Sequence, residues 1–134
     1  MKARRALFLP CLAALLIGCS PDLAAVTVPP PGAVAELDST ADTIELTRGI
    51  ALGFECSYQN SPCASATAEV EDPSIAAVFP AYVDLLHRDH GGTALPTGKP
   101  RTVFVLVGNQ PGDTTLTISS DDGDVSYAVK ILGR

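Results

Sequence analysis

The sequence predicts an all-β fold, an antiparallel sandwich of about seven strands. Between residue 34 and the C-terminus, short runs place apolar side chains at every second position, which is the pattern of strands that bury one face. Turn-forming residues separate these runs, and the 134-residue chain contains 11 Gly and 11 Pro, as expected of a protein rich in turns. Many short strands of this kind favour two packed sheets around one core.

Five segments show the alternation, and a sixth is apolar throughout. The sixth, residues 103–107, reads VFVLV, which predicts a central strand with neighbours on both sides. Residues 81–87 are the one stretch whose pattern is compatible with a short helix. The alternating apolar positions are Ile44 and Leu46; Ile50, Leu52, Phe54 and Cys56; Ala66, Ala68 and Val70; Leu116 and Ile118; and Val125, Tyr127, Val129 and Ile131.

The last two strands are predicted to form a hairpin. Asp122 and Gly123 form a dipeptide that favours tight turns, and this turn would join residues 114–120 to residues 125–132. Asp121 and Asp124 extend the acidic run around it. We expect a solvated hairpin tip, because the run is shorter than a calcium-binding loop and lacks a bidentate Glu at the required position.

Residues 1–18 are expected to be a cleaved secretory signal peptide. The positively charged start MKARR precedes thirteen residues without a charge, ALFLPCLAALLIG. This run is too short to span a bilayer comfortably, and Pro10 argues against a stable spanning helix. The alternative, a buried N-terminal core helix, is disfavoured because neither an amphipathic pattern nor a cap accompanies the run.

The end of the apolar run, Leu16-Ile17-Gly18-Cys19, resembles the lipobox of bacterial lipoproteins at all four positions. The resemblance implies that the Cys19 thiol receives a diacylglycerol and that cleavage before Cys19 frees an amino terminus that is acylated. Two or three acyl chains hold a protein on a membrane durably. By the same resemblance, Ser20 favours the outer membrane, so the expected location is the cell envelope, on the periplasmic face or the cell surface.

A tether is expected between this anchor and the domain. Residues 19–33 contain three consecutive prolines, Pro29–Pro31, which favour an extended conformation, and Gly32 then releases the chain. The segment is interpreted as a lipid-anchored, semi-rigid spacer outside the core. The alternative is an ordinary disordered tail.

Residues 34–132 resemble bacterial Ig-like domains of the kind repeated in adhesins and surface proteins. Three stretches carry the resemblance: DPSIAAV at 72–78, VGNQPGDTTLTIS at 107–119 and VSYAVKIL at 125–132. The chain departs from the family in having no Trp and a longer segment at 80–101. The resemblance implies a single Ig-like domain at 34–134 that acts as a structural or interaction module, with a protein or a surface polymer as its partner.

The four cysteines are not equivalent. Cys11 lies in the segment expected to be removed, and Cys19 is the expected lipidation site. Cys56 and Cys63 remain, and export to an oxidising compartment favours a disulfide between them. A metal pair or a redox pair is disfavoured, because both types of site prefer a two-residue spacing.

Charge and motifs exclude several function classes. Removal of residues 1–18 leaves six basic against fifteen acidic residues, a balance that phosphates repel, so nucleic acid is not an expected partner. No Gly-x-Ser-x-Gly elbow or phosphate-binding glycine loop occurs, and we expect neither an enzyme nor a cofactor. The alternative function is a ligand- or metal-binding surface protein that uses His87, His90 and Asp89 in the 80–101 loop.

Overall fold

The computed structural model describes residues 20–81, 86–88, 94–96 and 101–133. These residues form twelve strands, more than the seven or so predicted, because several short strands lie beside the long ones. The strands are β1 (Asp22–Ala25), β2 (Ala35–Asp38), β3 (Thr43–Thr47), β4 (Ala51–Tyr58), β5 (Ser61–Pro62), β6 (Thr67–Val70), β7 (Ala76–Ala81), β8 (Leu86–Arg88), β9 (Ala94–Pro96), β10 (Thr102–Gly108), β11 (Gly112–Ser120) and β12 (Gly123–Leu132).

Two five-stranded sheets enclose the core, which confirms the predicted all-β fold. The first sheet has the order β1-β4-β10-β7, with β5 paired to β4, and the second has the order β2-β3-β12-β11-β6. Strands β8 and β9 form a separate antiparallel pair. Among the described residues, no helix is long and apolar enough to cross a membrane.

One pair of strands departs from the predicted antiparallel arrangement. Strand β3 runs parallel to β12, with Ile44 opposite Val129 and Leu46 opposite Ile131. Alternation predicts which side chains are buried, but it is the same for both strand directions, so it cannot distinguish parallel from antiparallel pairing. The direction of β3 relative to β12 is set instead by the long connection through the strands that lie between them in the sequence.

The alternating positions point inward and fill one cluster shared by both sheets. Strand β12 alternates strictly, with its four apolar positions buried and the residues between them exposed. In the first sheet, Phe54 lies opposite Phe104, and their ring centroids are 5.9 Å apart. Among the fully buried side chains are Tyr127, Phe54, Ile44, Leu46, Leu52, Leu106, Leu116, Ile118 and Val129.

The predicted central strand and the predicted hairpin are both confirmed. Strand β10 pairs with β4 on one side and β7 on the other. Strands β11 and β12 pair from Gly112–Ile131 to Ser120–Gly123. The turn itself lies one residue earlier than predicted, since its central residues are Asp121 and Asp122 and Gly123 follows with a φ of 123°. Glycine tolerates this backbone conformation without strain.

The predicted tether is wrong in part, because the domain begins before residue 34. Strand β1 pairs antiparallel with β4, and Leu23 is only 2% exposed within the core. Pro21 is also fully buried. The apolar positions of a four-residue strand are too few to show a period, so the proline-rich composition beside it dominated the prediction.

The proline-rich stretch is a surface loop between the two sheets. Val28 is 92% exposed, and Gly32, with a φ of 81°, turns the chain toward β2. The loop is held at its end by the Val34 amide, which donates a 2.8 Å hydrogen bond to Thr47 Oγ1.

The short helix considered for residues 81–87 is not formed as such. Ala81 ends β7, and Leu86 and His87 belong to β8, while residues 82–85 lie outside the described residues.

Candidate functional site

Cys56 and Cys63 form a disulfide, as the sequence predicted. Their Cα atoms are 5.5 Å apart, and both residues are buried. The intervening chain folds into a tight hairpin whose central residues, Gln59 and Asn60, both have positive φ angles. Asn adopts this conformation more readily than most residues, which explains why the turn forms here. The Cys63 carbonyl also accepts a 2.9 Å hydrogen bond from Thr102 Oγ1, so β10 supports the loop.

The disulfide loop is tied to the hairpin tip of the other sheet. The Ala64 amide donates a 2.9 Å hydrogen bond to Asp122 Oδ2, and the Asp121 amide donates a 3.0 Å hydrogen bond to the Ala64 carbonyl. We call this end of the sandwich, comprising residues 20–21, 58–64 and 120–123, the disulfide end. It is therefore cross-linked covalently within one sheet and by hydrogen bonds between the two sheets.

Tyr127 spans the core between the sheets. It is 1% exposed, and burial raises the pKa of its phenol above the ordinary value of 10.0. A hydrogen bond with the Leu23 backbone opposes this rise in pKa, while the negative charges of nearby aspartates, first Asp42 and then Asp22, add to it. The phenol thus remains neutral at physiological pH and links β12 to β1.

The outer face of the first sheet is apolar where β10 and β7 lie side by side. Val105 of β10 lies between Gly53 of β4 and Phe79 of β7 in one row, and Val107 lies opposite Ala77 in the next. Phe79 is 55% exposed and is the one aromatic residue among the exposed large hydrophobic side chains described. We call Phe79, Val105, Val107 and Ala77 the apolar strip. It includes the outward side chains of β7, which is the edge strand of this sheet among the strands that the structure describes.

The outer face of the second sheet is polar, and most of its charged side chains are acidic. A groove of about 370 Å³ is lined by Glu36, Asp38, Glu45 and Asp113, together with Lys130. Lys130 Nζ lies 4.0 Å from Glu45 Oε1, and both side chains are well exposed, so the pair contributes little to stability. The apolar strip and this acidic groove therefore lie on opposite faces of the sandwich.

The remaining predicted site residues cannot be placed. Cys19, the expected lipidation site, and His90 and Asp89 of the alternative metal site lie outside the described residues. His87 is described only as a backbone position of β8, opposite Leu95. Within residues 20–81 and 101–133, no group of three His, Cys, Asp or Glu side chains could hold a metal ion.

The apolar strip is the feature that the sequence analysis missed. The signal was present in the alternation of β7: Ala76 and Val78 point toward the core, so the residues between them, Ala77 and Phe79, must face outward. A bulky aromatic residue at an outward position of an edge strand is the pattern that could have identified it.

Comparison with known proteins supplies no family. No protein-family model matches the sequence, and no curated protein matches it. Solved structures with a similar arrangement include fragments of the S-layer protein SbsC. Domains 4 and 5 are 14% identical with a TM-score of 0.46, covering 83% of this chain and 54% of that one. Domains 4–9 are 19% identical with a TM-score of 0.48, covering 76% of this chain and 15% of that one.

This chain thus spans about half of the SbsC fragment containing domains 4 and 5. The two sheets described above establish the all-β fold of this chain.

Proposed function

We propose that this protein is a membrane-anchored lipoprotein of the cell envelope. Its single Ig-like domain acts as a structural or protein-interaction module. The apolar strip supports the proposed interaction, because an exposed aromatic residue on an edge strand is typical of a surface that binds another molecule. The anchoring part rests on the resemblance of Leu16–Cys19 to a lipobox.

The geometry of β7 favours a protein or polymer that lies along the edge of the first sheet. An edge strand offers backbone groups that a further extended segment can pair with. Pro80 has no amide hydrogen, so pairing along this edge is favoured on the N-terminal side of Pro80, from Ala76 to Phe79. A partner seated there would cover the Phe79 ring while it extends the sheet.

The rigidity of the domain supports this role. The disulfide and the bonds between Ala64 and the hairpin tip hold the disulfide end together. A surface that is already ordered loses little conformational entropy when a partner binds.

Fractionation of cells that produce a Cys19→Ala variant tests the anchor. The variant is expected in the soluble fraction, whereas the unaltered protein is extracted only with detergent. Detergent-dependent membrane association of the variant would contradict the anchor.

Site-specific photocrosslinking in intact cells tests the interaction surface. A photoreactive residue in place of Phe79 is expected to capture a discrete partner. The matched control carries the same residue in place of Thr117, on the outer face of the second sheet, and is expected to capture none. Identical crosslinked products at both positions, or no crosslinked product at Phe79, would contradict the proposed contact surface.

A further inference from the structure

The first described residues are already part of the sandwich. Pro21 is fully buried, and Asp22 pairs with Ser57 of β4. Only Ser20 separates Pro21 from Cys19. Since two residues span at most about 7 Å, an anchor on Cys19 would lie within that distance of the folded domain. The predicted tether through residue 33 would instead have allowed a reach of about 45 Å.

The register of β1 determines which end of the domain carries this linkage. Asp22 lies opposite Ser57, and Ala25 lies opposite Phe54, so the N-terminal residues sit where β4 finishes. A Cβ at Gly123 would lie 3.7 Å from Pro21 Cδ, which places Pro21 against the hairpin tip. The chain thus enters the sandwich at the disulfide end.

The opposite end holds the C-terminal residues. The Arg48 amide donates a hydrogen bond to the Leu132 carbonyl, and the Gly49 amide donates one to the Gly108 carbonyl. We call residues 48–50, 108–110 and 132–133 the far end. The ten residues of β12 separate the two ends by about 30 Å.

We propose that the anchored protein stands on the lipid bilayer with its disulfide end against the headgroups and its far end directed away. This orientation rests on the proposed lipidation of Cys19. The covalent anchor and the two-residue connection fix this orientation, because so short a connection does not allow the domain to rotate its far end toward the bilayer.

Within residues 20–81 and 101–133, no electrostatic attraction to anionic lipid contributes to this orientation. Asp22, Asp121 and Asp124 are exposed at or beside the disulfide end. Arg101, a nearby cation, is already paired with Glu55. Anionic lipid would therefore repel this end at low ionic strength, and salt would screen the repulsion. Contact should be closest on zwitterionic bilayers.

The absence of Trp from the sequence allows a direct test. Single-Trp variants Ser61→Trp, at the disulfide end, and Gln110→Trp, at the far end, both replace exposed residues. The full-length lipidated proteins would be placed in phosphatidylcholine vesicles containing a lipid with a nitroxide headgroup. Quenching of Ser61→Trp fluorescence is expected to exceed that of Gln110→Trp at least about threefold, since the sites lie about 30 Å apart.

An insertion provides the matched control. About ten Gly and Ser residues placed between Ser20 and Pro21 form a flexible linker in the Ser61→Trp variant. Quenching is expected to fall toward the Gln110→Trp level, because the domain can then leave the surface and rotate.

The mass of each purified protein separates the two proposals. A lipidated protein with equal quenching at both sites, or quenching unaffected by the insertion, would overturn the orientation alone. A protein that carries no lipid would overturn the anchor and the orientation together.

Discussion

Ala64 and Asp122 join the two sheets through a 2.9 Å hydrogen bond from the Ala64 amide to the Asp122 carboxylate. The two residues are 58 positions apart in the sequence. Asp121 contributes its backbone amide to the same contact but keeps its side chain exposed. The two neighbouring aspartates therefore have different structural roles.

Replacement of Asp122 by Ala should lower the free energy of unfolding by about 1 kcal/mol, since one hydrogen bond between the sheets is lost. The Asp121→Ala control should change it by less than about 0.5 kcal/mol. Urea denaturation of the domain measures both values. Equal effects of the two substitutions would show that the Ala64–Asp122 hydrogen bond does not contribute to the free energy of unfolding.

Leu23 tests whether β1 belongs to the domain. Its side chain is buried among the core residues, so Leu23→Ala should destabilise the protein by about 2–5 kcal/mol. The neighbouring Ala24 is exposed, and Ala24→Ser should change stability by less than about 0.5 kcal/mol. Thermal unfolding distinguishes the two variants. If Leu23→Ala unfolds at the same temperature as the unaltered protein, residues 20–25 are a tether after all.

Gly53 is predicted to be intolerant of a larger side chain because Thr27 packs onto it. A Cβ at Gly53 would lie 2.8 Å from Thr27 Cγ2, and Thr27 cannot easily move, since its Oγ1 accepts a 2.8 Å hydrogen bond from the Gly53 amide. Gly53→Ala should therefore cost about 1–3 kcal/mol of stability.

Thr27→Ser keeps the hydroxyl and removes the clashing methyl group. In a Thr27→Ser background the cost of Gly53→Ala should fall, and a double-mutant cycle measures this coupling. Additive effects of the two substitutions would contradict the proposed contact.

Tyr127 should make the fold sensitive to alkaline pH. Burial raises its pKa in the folded state, so above about pH 10 the unfolded chain releases a phenol proton that the folded protein retains. The free energy of unfolding should consequently fall as the pH rises above that value. Tyr127→Phe should reduce this slope, whereas Tyr58→Phe, at the disulfide end, should retain it. Urea denaturation from pH 8 to 11 measures the free energy of unfolding of each variant. The same pH dependence in both variants would show that Tyr127 is not the cause of the alkaline loss of stability.

Much of the fold could be predicted from local patterns in the sequence. Alternation identified the buried faces around Leu52 and Val129 because one-sided burial imposes a period of two. The disulfide between Cys56 and Cys63 followed from the redox environment that export implies.

Strand direction, the true start of the domain and the apolar strip were not predicted. The parallel pairing of β3 with β12 depends on connections between distant residues. The burial of Leu23 depends on a partner strand more than 30 positions away in the sequence. Phe79 is exposed because its side chain and that of Val105, its partner in β10, lie on the outer face of the sheet. Composition alone does not reveal which face a side chain occupies.

Mass spectrometry of the N-terminal peptide of the protein purified from membranes determines whether the protein is lipid-anchored. We expect a mature chain that begins at Cys19 and carries a diacylglycerol on its thiol. A chain that retains residues 1–18, or a Cys19 thiol without lipid, would contradict it.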